Sequence, residues 1–279
     1  MTGAAAAALA LAAALAACGG SAGHAVVGAT PSPSTASPSP SESRPSDRSP
    51  QGVLLSAEQV LQTARRAKLS YRFDGPDGTG ETADGVLYWA PKTIMQLTRT
   101  TQGTTQQLII MDTVAYQGGD AATAARLGGK HWAKSTGPTL PDGRQDTPFA
   151  ALVDQLNPLQ AVTAAASAPD LQKLGEEKVG DGTAEHYSAT VSVADYAAAQ
   201  QNLLTPERRQ QLAAALGQGG VTSLTLDLWL NDKDQLVQLQ RSGLGSGGDL
   251  EQVIQYSQFG DQQLSVTSPP EDDTQSVPG

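Results

Sequence analysis

From Leu224 onward the chain alternates. Leu224, Leu226, Leu228 and Leu230 recur at every second position, with Thr225, Asp227 and Trp229 between them. A period of two puts a row of leucines on one face of a strand and the polar groups plus one indole on the other. Asn231-Asp232-Lys233-Asp234 follows as a turn, because short Asx side chains bond nearby backbone and tolerate left-handed dihedrals. The return through Leu236-Val237-Gln238-Leu239-Gln240 predicts an antiparallel hairpin. A glycine-rich link at 243–248 leads to a third strand, Val253-Ile254-Gln255-Tyr256. Pro269-Pro270 closes the run, since proline cannot donate to a ladder.

The patterns upstream predict further elements. Ser56 and Gln59 read as a capping box, and Val60, Leu61, Ala64 and Ala67 share one helical face. Strands are expected at residues 71–73, 81–89, 93–100 and 105–116, the last folding back at Asp112-Thr113, with a short one at 130–134. Thr147-Pro148 and Asn157-Pro158 each predict a helix start. Residues 174–193 return to strand around Gly180-Asp181-Gly182. Thr205-Pro206 opens another helix, which Gly217 stops. Antiparallel strand runs with helices between them predict an α+β fold, not an alternating βαβ one. No proline-rich break interrupts residues 56–270, so a single domain is assigned to 53–270, with 271–279 as a disordered acidic tail.

The first residues read differently. Residues 4–17 are all Ala and Leu, shorter than the roughly 20 apolar residues a spanning helix needs, and fit a signal-peptide core. Leu15-Ala16-Ala17-Cys18 matches the bacterial lipobox, which makes 1–17 a signal peptide and Cys18 a thiol that carries a thioether-linked diacylglyceryl. The alternative is a leftover buried free cysteine. Met1-Thr2-Gly3 lacks the basic start of most signal peptides, which leaves open a start further upstream or a weak signal. Cys18 is the sole cysteine, so no internal disulfide forms. Residues 18–52 hold Pro31, Pro33, Pro38, Pro40, Pro45 and Pro50 among serines and read as a solvated tether, extending about 3.1 Å per residue where polyproline-like. It is either a passive spacer or an O-glycosylation tract.

A net charge of −10 argues against nucleic acid, whose phosphates need a broad basic face, and equally disfavours electrostatic docking on an anionic membrane. Catalytic and metal chemistry lack their residues. His24, His131 and His186 have no second His or Cys at ligand spacing, so His131 and His186 read as half-exposed strand residues. Gly243-Leu244-Gly245-Ser246-Gly247-Gly248 contains GxGxxG, but it joins strand to strand and reads as a flexible loop. Asp227, Asp232 and Asp234 lack the glycine and terminal glutamate of a calcium loop and read as turn and solvated face. No catalytic residue, cofactor site or metal site is assigned, and the chain is read as no enzyme.

The order DLWLNDKDQLVQLQ, VIQYSQFGD, VTSPP resembles the C-terminal part of the LppX/LprG-type bacterial lipoproteins, which belong with the LolA/LolB-like carriers. Gly182 to Tyr187 with Thr190 to Val193, and the Trp132 segment, resemble the same family. The resemblance implies a curved antiparallel half-barrel sheet with helices covering its concave side and enclosing an apolar cavity. It also implies a lipid or other long apolar ligand, and a lipid-anchored place on the extracytoplasmic face of the cell membrane. Leu224, Leu226, Leu228, Leu230, Leu108 and Ile110 are then the expected lining. With aromatics at 4%, few large groups are present to fill a hollow, although a tight Leu/Val/Ala core explains the composition nearly as well. The rival reading is a tethered structural or sensory envelope domain with a filled core and a protein partner.

Overall fold

The computed structural model describes residues 47–140 and 142–278. The expected signal peptide, Cys18 and the tether as far as residue 46 lie outside the described residues. Helix α1 (Pro50–Ala64) opens the domain. Its N-cap is Ser49, whose Oγ accepts from the Gly52 N–H at 3.1 Å, with proline at the first helical position. Ser56 is therefore no cap. It sits buried inside the helix and donates to Asp234 Oδ2 at 2.7 Å. Arg65, left-handed at φ 61°, ends the helix.

Five strands follow as an antiparallel meander: β1 (Arg66–Asp74), β2 (Gly80–Tyr88), β3 (Ile94–Thr101), β4 (Thr104–Met111) and β5 (Val114–Gly118). Helix α2 (Ala121–Arg126), capped by Asp120, precedes β6 (Trp132–Thr136). Two helices come next, α3 (Ala150–Leu156) and α4 (Pro158–Ala166). Asn157 caps α4 as expected, but Thr147 does not start α3, which begins at Ala150 after a left-handed Phe149. The remaining elements are β7 (Gln172–Val179), β8 (Gly182–Ser192), α5 (Val193–Ala199), α6 (Pro206–Leu216), β9 (Ser223–Leu230), β10 (Leu236–Gly243), β11 (Leu250–Ser257) and β12 (Thr274–Ser276). Helices α2 and α5 are too short to show an apolar period in sequence, though each has a capping Asp or Ser.

All twelve strands form one open sheet in the order β12-β6-β5-β4-β3-β2-β1-β11-β10-β9-β8-β7. Every pairing is antiparallel except β12 on β6, which is parallel. The acidic tail is thus ordered at residues 274–276, because the backbone of the β6 edge is unpaired until β12 adds to it. The opposite edge, β7, is mostly exposed and carries Lys173, Glu176, Glu177 and Lys178, charges that discourage further strand addition.

Burial alternates along β1, β8 and β9, and the inward rows meet the helices. Helix α1 packs on α4, and α4 lies on β8, β9 and β10. Leu54, Leu61, Leu156 and Val162 from this layer join Leu69, Leu87, Leu97 and Leu239 of the sheet in one core. Gly85 lets β2 and β3 approach closely, since a Cβ there would come within 1.9 Å of the Gln96 carbonyl oxygen.

The residues just before α1 are tied down as well. Arg48 Nη1 donates to Asp234 Oδ1 at 3.1 Å, and Gln51 Nε2 to the Ala166 carbonyl at 3.2 Å. A chain beginning at Val53 loses the Ser49 cap and both contacts. It should unfold about 1–3 kcal/mol less stably than one beginning at Asp47, a fall in Tm of roughly 2–10 °C. Equal melting curves for the two would show that this segment adds nothing to the domain.

Candidate functional site

The alternation read from the sequence builds the concave face. Leu224, Leu226, Leu228 and Leu230 point to the helix side of β9, with Leu108 and Ile110 on β4, and none is more than 1% exposed. Register then assembles a continuous apolar row. Tyr187 on β8 faces Leu228, Leu228 faces Leu239 on β10, Leu239 faces Ile254 on β11, and Ile254 faces Tyr71 on β1. Over this surface α4 presents Ala161, Val162, Ala164 and Ala165, all buried. The six expected lining residues are therefore brought into one core, where side chains of α1 and α4 occupy the concave side.

One row of that face is polar. Across four strands it runs Arg241, Gln252, Phe73 and Glu81, and Thr101 follows on β3. Glu81 accepts from Arg99 Nε at 3.1 Å and from Thr101 Oγ1 at 3.0 Å, and the Tyr71 hydroxyl also donates to it. Burial opposes ionisation of Glu81, yet the Arg99 guanidinium and these donors hold its carboxyl below the usual carboxylate range. Arg241 is fully buried, with one Nη2 hydrogen bond to the Gln155 carbonyl oxygen. Its guanidinium carbon lies 5.8 Å from the centre of the Tyr196 ring. Gln252 Nε2 donates to Gln155 Oε1 at 2.8 Å, and the Tyr256 hydroxyl to the Leu156 carbonyl at 2.9 Å. Sequence patterning passed over this row, although its signal is there: Arg241 and Gln252 fall in phase with Leu239 and Ile254.

The outer face holds different chemistry. His186 is buried, correcting its reading as half-exposed, and stacks on Trp229 with centroids 4.2 Å apart. Its Nδ1 lies 2.8 Å from Glu177 Oε1 and its Nε2 3.0 Å from Asp227 Oδ1, while Trp229 Nε1 donates to Glu177 Oε2 at 2.9 Å. Asp234 is also buried, not solvated, because Arg48 and Ser56 both bind it. His131 is exposed and sits 2.8 Å from Asp273. The glycine-rich 243–248 loop joins β10 to β11, and Gly248 packs so closely that a Cβ would meet the Pro76 carbonyl oxygen at 2.0 Å. A surface hollow of about 490 Å³ lies on this outer side, lined by Lys68, Asp84, Gln255 and the β7–β8 turn. None of the six lining residues borders it. Among the described residues, no group of three or more His, Cys, Asp or Glu side chains could hold a metal ion, and no helix is long and apolar enough to cross a membrane.

Asp154 on α3 is buried and bound to Arg208 of α6, with Nε donating at 3.0 Å. Burial pushes its carboxyl up to about 6 despite the opposing Arg208 charge. Between the ordinary Asp value and about 6, the folded chain holds a proton that the unfolded chain releases. This group's contribution therefore falls as pH rises through that window, by about 2–3 kcal/mol. Denaturant titrations at pH 4 and pH 6.5 should show Asp154→Asn losing that share of the pH dependence. An unchanged difference between the two pH values would place the titration elsewhere.

No family model matches the chain. An uncharacterized 31.2 kDa protein of Streptomyces griseus, from the region between rplA and rplJ, is 30% identical over 237 residues, covering 77% of this chain and 75% of that protein. A candidate lipoprotein of Streptomyces coelicolor is 30% identical over 151 residues, which is 53% of this chain and 44% of its own. Among solved structures, LprF of Mycobacterium bovis matches with a TM-score of 0.50 at 15% identity, covering 79% of this chain and 96% of its own. The lipoprotein LppX of Mycobacterium tuberculosis matches with a TM-score of 0.49 at 11% identity, covering 79% and 100%. The chain belongs to the family of the Streptomyces griseus 31.2 kDa protein, and its open, helix-covered sheet has the fold of LprF of Mycobacterium bovis.

Proposed function

We propose that this chain is an extracytoplasmic lipoprotein, anchored through Cys18, that carries a lipid or other long apolar molecule between its helical layer and the concave face of its sheet. The observation that carries this reading is the apolar row from Tyr187 through Leu228, Leu239 and Ile254 to Tyr71, met by the small side chains of α4. Small side chains interlock little, so α4 can lift without dragging large groups out of sockets. Each methylene brought from water onto the apolar rows would gain up to about 0.8 kcal/mol, which scales with acyl length and asks for no elaborate polar motif. The carrier is not read as an enzyme, and no cofactor or metal is assigned to it.

A second reading has its own observation. All six expected lining residues are covered by the chain's own helices, as a filled structural or sensory domain with a protein partner would require. Native mass spectrometry of secreted Cys18→Ser protein separates the two. The carrier should arrive with a co-purified lipid or take up a diacyl lipid from vesicles. Protein that carries no lipid and extracts none has a filled core, and the carrier reading fails.

The anchor has a separate test. Cys18→Ser should move the protein from the membrane fraction to the medium, and the wild-type N-terminal peptide should carry a diacylglyceryl mass. A membrane-bound mutant beside an unacylated wild type would remove the anchor from this account.

A further inference from the structure

Arg241 is fully buried, and its Nε and Nη1 have no hydrogen-bond partner. A guanidinium out of water without an anion is a strongly unfavourable arrangement, so buried charges are paired almost without exception. The orphaned groups extend beyond it. Gln252 Oε1, Gln200 Oε1, the Tyr196 hydroxyl and both side-chain polar atoms of Gln160 are also buried without partners. Gln160 lies close enough to Asp154 to favour its carboxylate, but outside hydrogen-bond geometry. The groups belong together. Gln200 Nε2 donates to the Gln160 and Tyr196 carbonyls, each at 3.0 Å, and Tyr196 lies beside the Arg241 guanidinium. Asp154 is already engaged, bound by Arg208.

Resting on the carrier reading, we infer that this nest is the head-group seat of the ligand, and that the group it takes is an oxyanion, a phosphate or carboxylate, held by Arg241. With Nη2 held by the Gln155 carbonyl, the free Nε–H and Nη1 donors leave on different sides of the planar guanidinium, so each can reach an anion oxygen and the full positive charge is left for it. The amides of Gln160 and Gln252 and the Tyr196 hydroxyl offer the neutral donors and acceptors that a phosphate ester or a vicinal hydroxyl needs. Placement supports the assignment. Arg241 stands directly opposite Leu226 in register, so a molecule seated there by its head lays its chains along the leucine row. Leu224 and Leu250 are buried one step further along their strands on the same face.

The test uses the full Cys18→Ser chain, with vesicles of phosphatidylglycerol, vesicles carrying diacylglycerol, and inorganic phosphate. Wild type should take up the anionic lipid at least tenfold better than the neutral one. Arg241→Met should lose that preference while still binding diacylglycerol, and should melt no lower than wild type, because it removes a buried unpaired charge. Arg241→Lys keeps the charge with fewer and differently placed donors and should fall between them, which covers a Met variant that does not fold. Equal uptake of both lipids by wild type and variants overturns the head-group seat and leaves the carrier standing. Phosphate binding that depends on Arg241, without uptake of either lipid, supports the oxyanion site with a free anion as its source and ends the carrier. If wild type binds none of the three, both fall.

Discussion

The pairing of β1 with β11 is the contact on which the rest of the molecule depends. It runs from Lys68 opposite Ser257 to Asp74 opposite Glu251 and joins two meanders that are otherwise local in sequence. Without it, β1–β6 and β7–β11 would each expose an edge and half of an apolar face. With it, Leu69 and Tyr71 stand beside Tyr256 and Ile254, and the concave surface becomes continuous across the sheet. Closing so long a loop costs chain entropy before any burial rewards it, so this contact is the slow, cooperative step expected of such a topology.

Covering that face is the second requirement, and polar contacts at its borders hold the cover in place. Thr163 of α4 donates to Glu58 of α1 at 2.6 Å, Trp89 Nε1 donates to the Leu61 carbonyl at 3.1 Å, and Tyr256 holds the end of α3. Asp234, at the β9–β10 turn, receives Arg48 and Ser56 and so pins the start of α1 over the sheet. Most interior residues of α4 are small and apolar, with Leu159 and the buried amide of Gln160 among them.

The same face also carries polar groups among its apolar ones. A core built for packing alone would leave few buried polar atoms without partners. Here the orphaned atoms of Arg241, Gln252, Gln160, Gln200 and Tyr196 gather where β10 and β11 meet α4 and α5. Their grouping beside the leucine row, not their number, gives the interior a polar end and an apolar run.

Much of this was legible along the chain. The period of two from Leu224 to Leu230, the Asx turn after it, and the capping Asn157 and Thr205 depend on neighbours within a few residues, and local pattern reports local geometry faithfully. The residues that build the concave face were therefore in view. Other outcomes depended on partners far away in sequence. Ser56 is a good cap by composition but is bound by Asp234, 178 residues on, which leaves Ser49 to start the helix. The tail orders because β6 offers a free edge, and His186 is buried because Trp229 and two carboxylates surround it across strands. Arg241 sits in phase with leucines, yet only the register of β9, β10 and β11 with the helices above shows a buried guanidinium with two idle donors. Periodicity assigns a side chain to a face; what that face meets is set by the whole fold, because desolvation and pairing depend on atoms that are neighbours only in space.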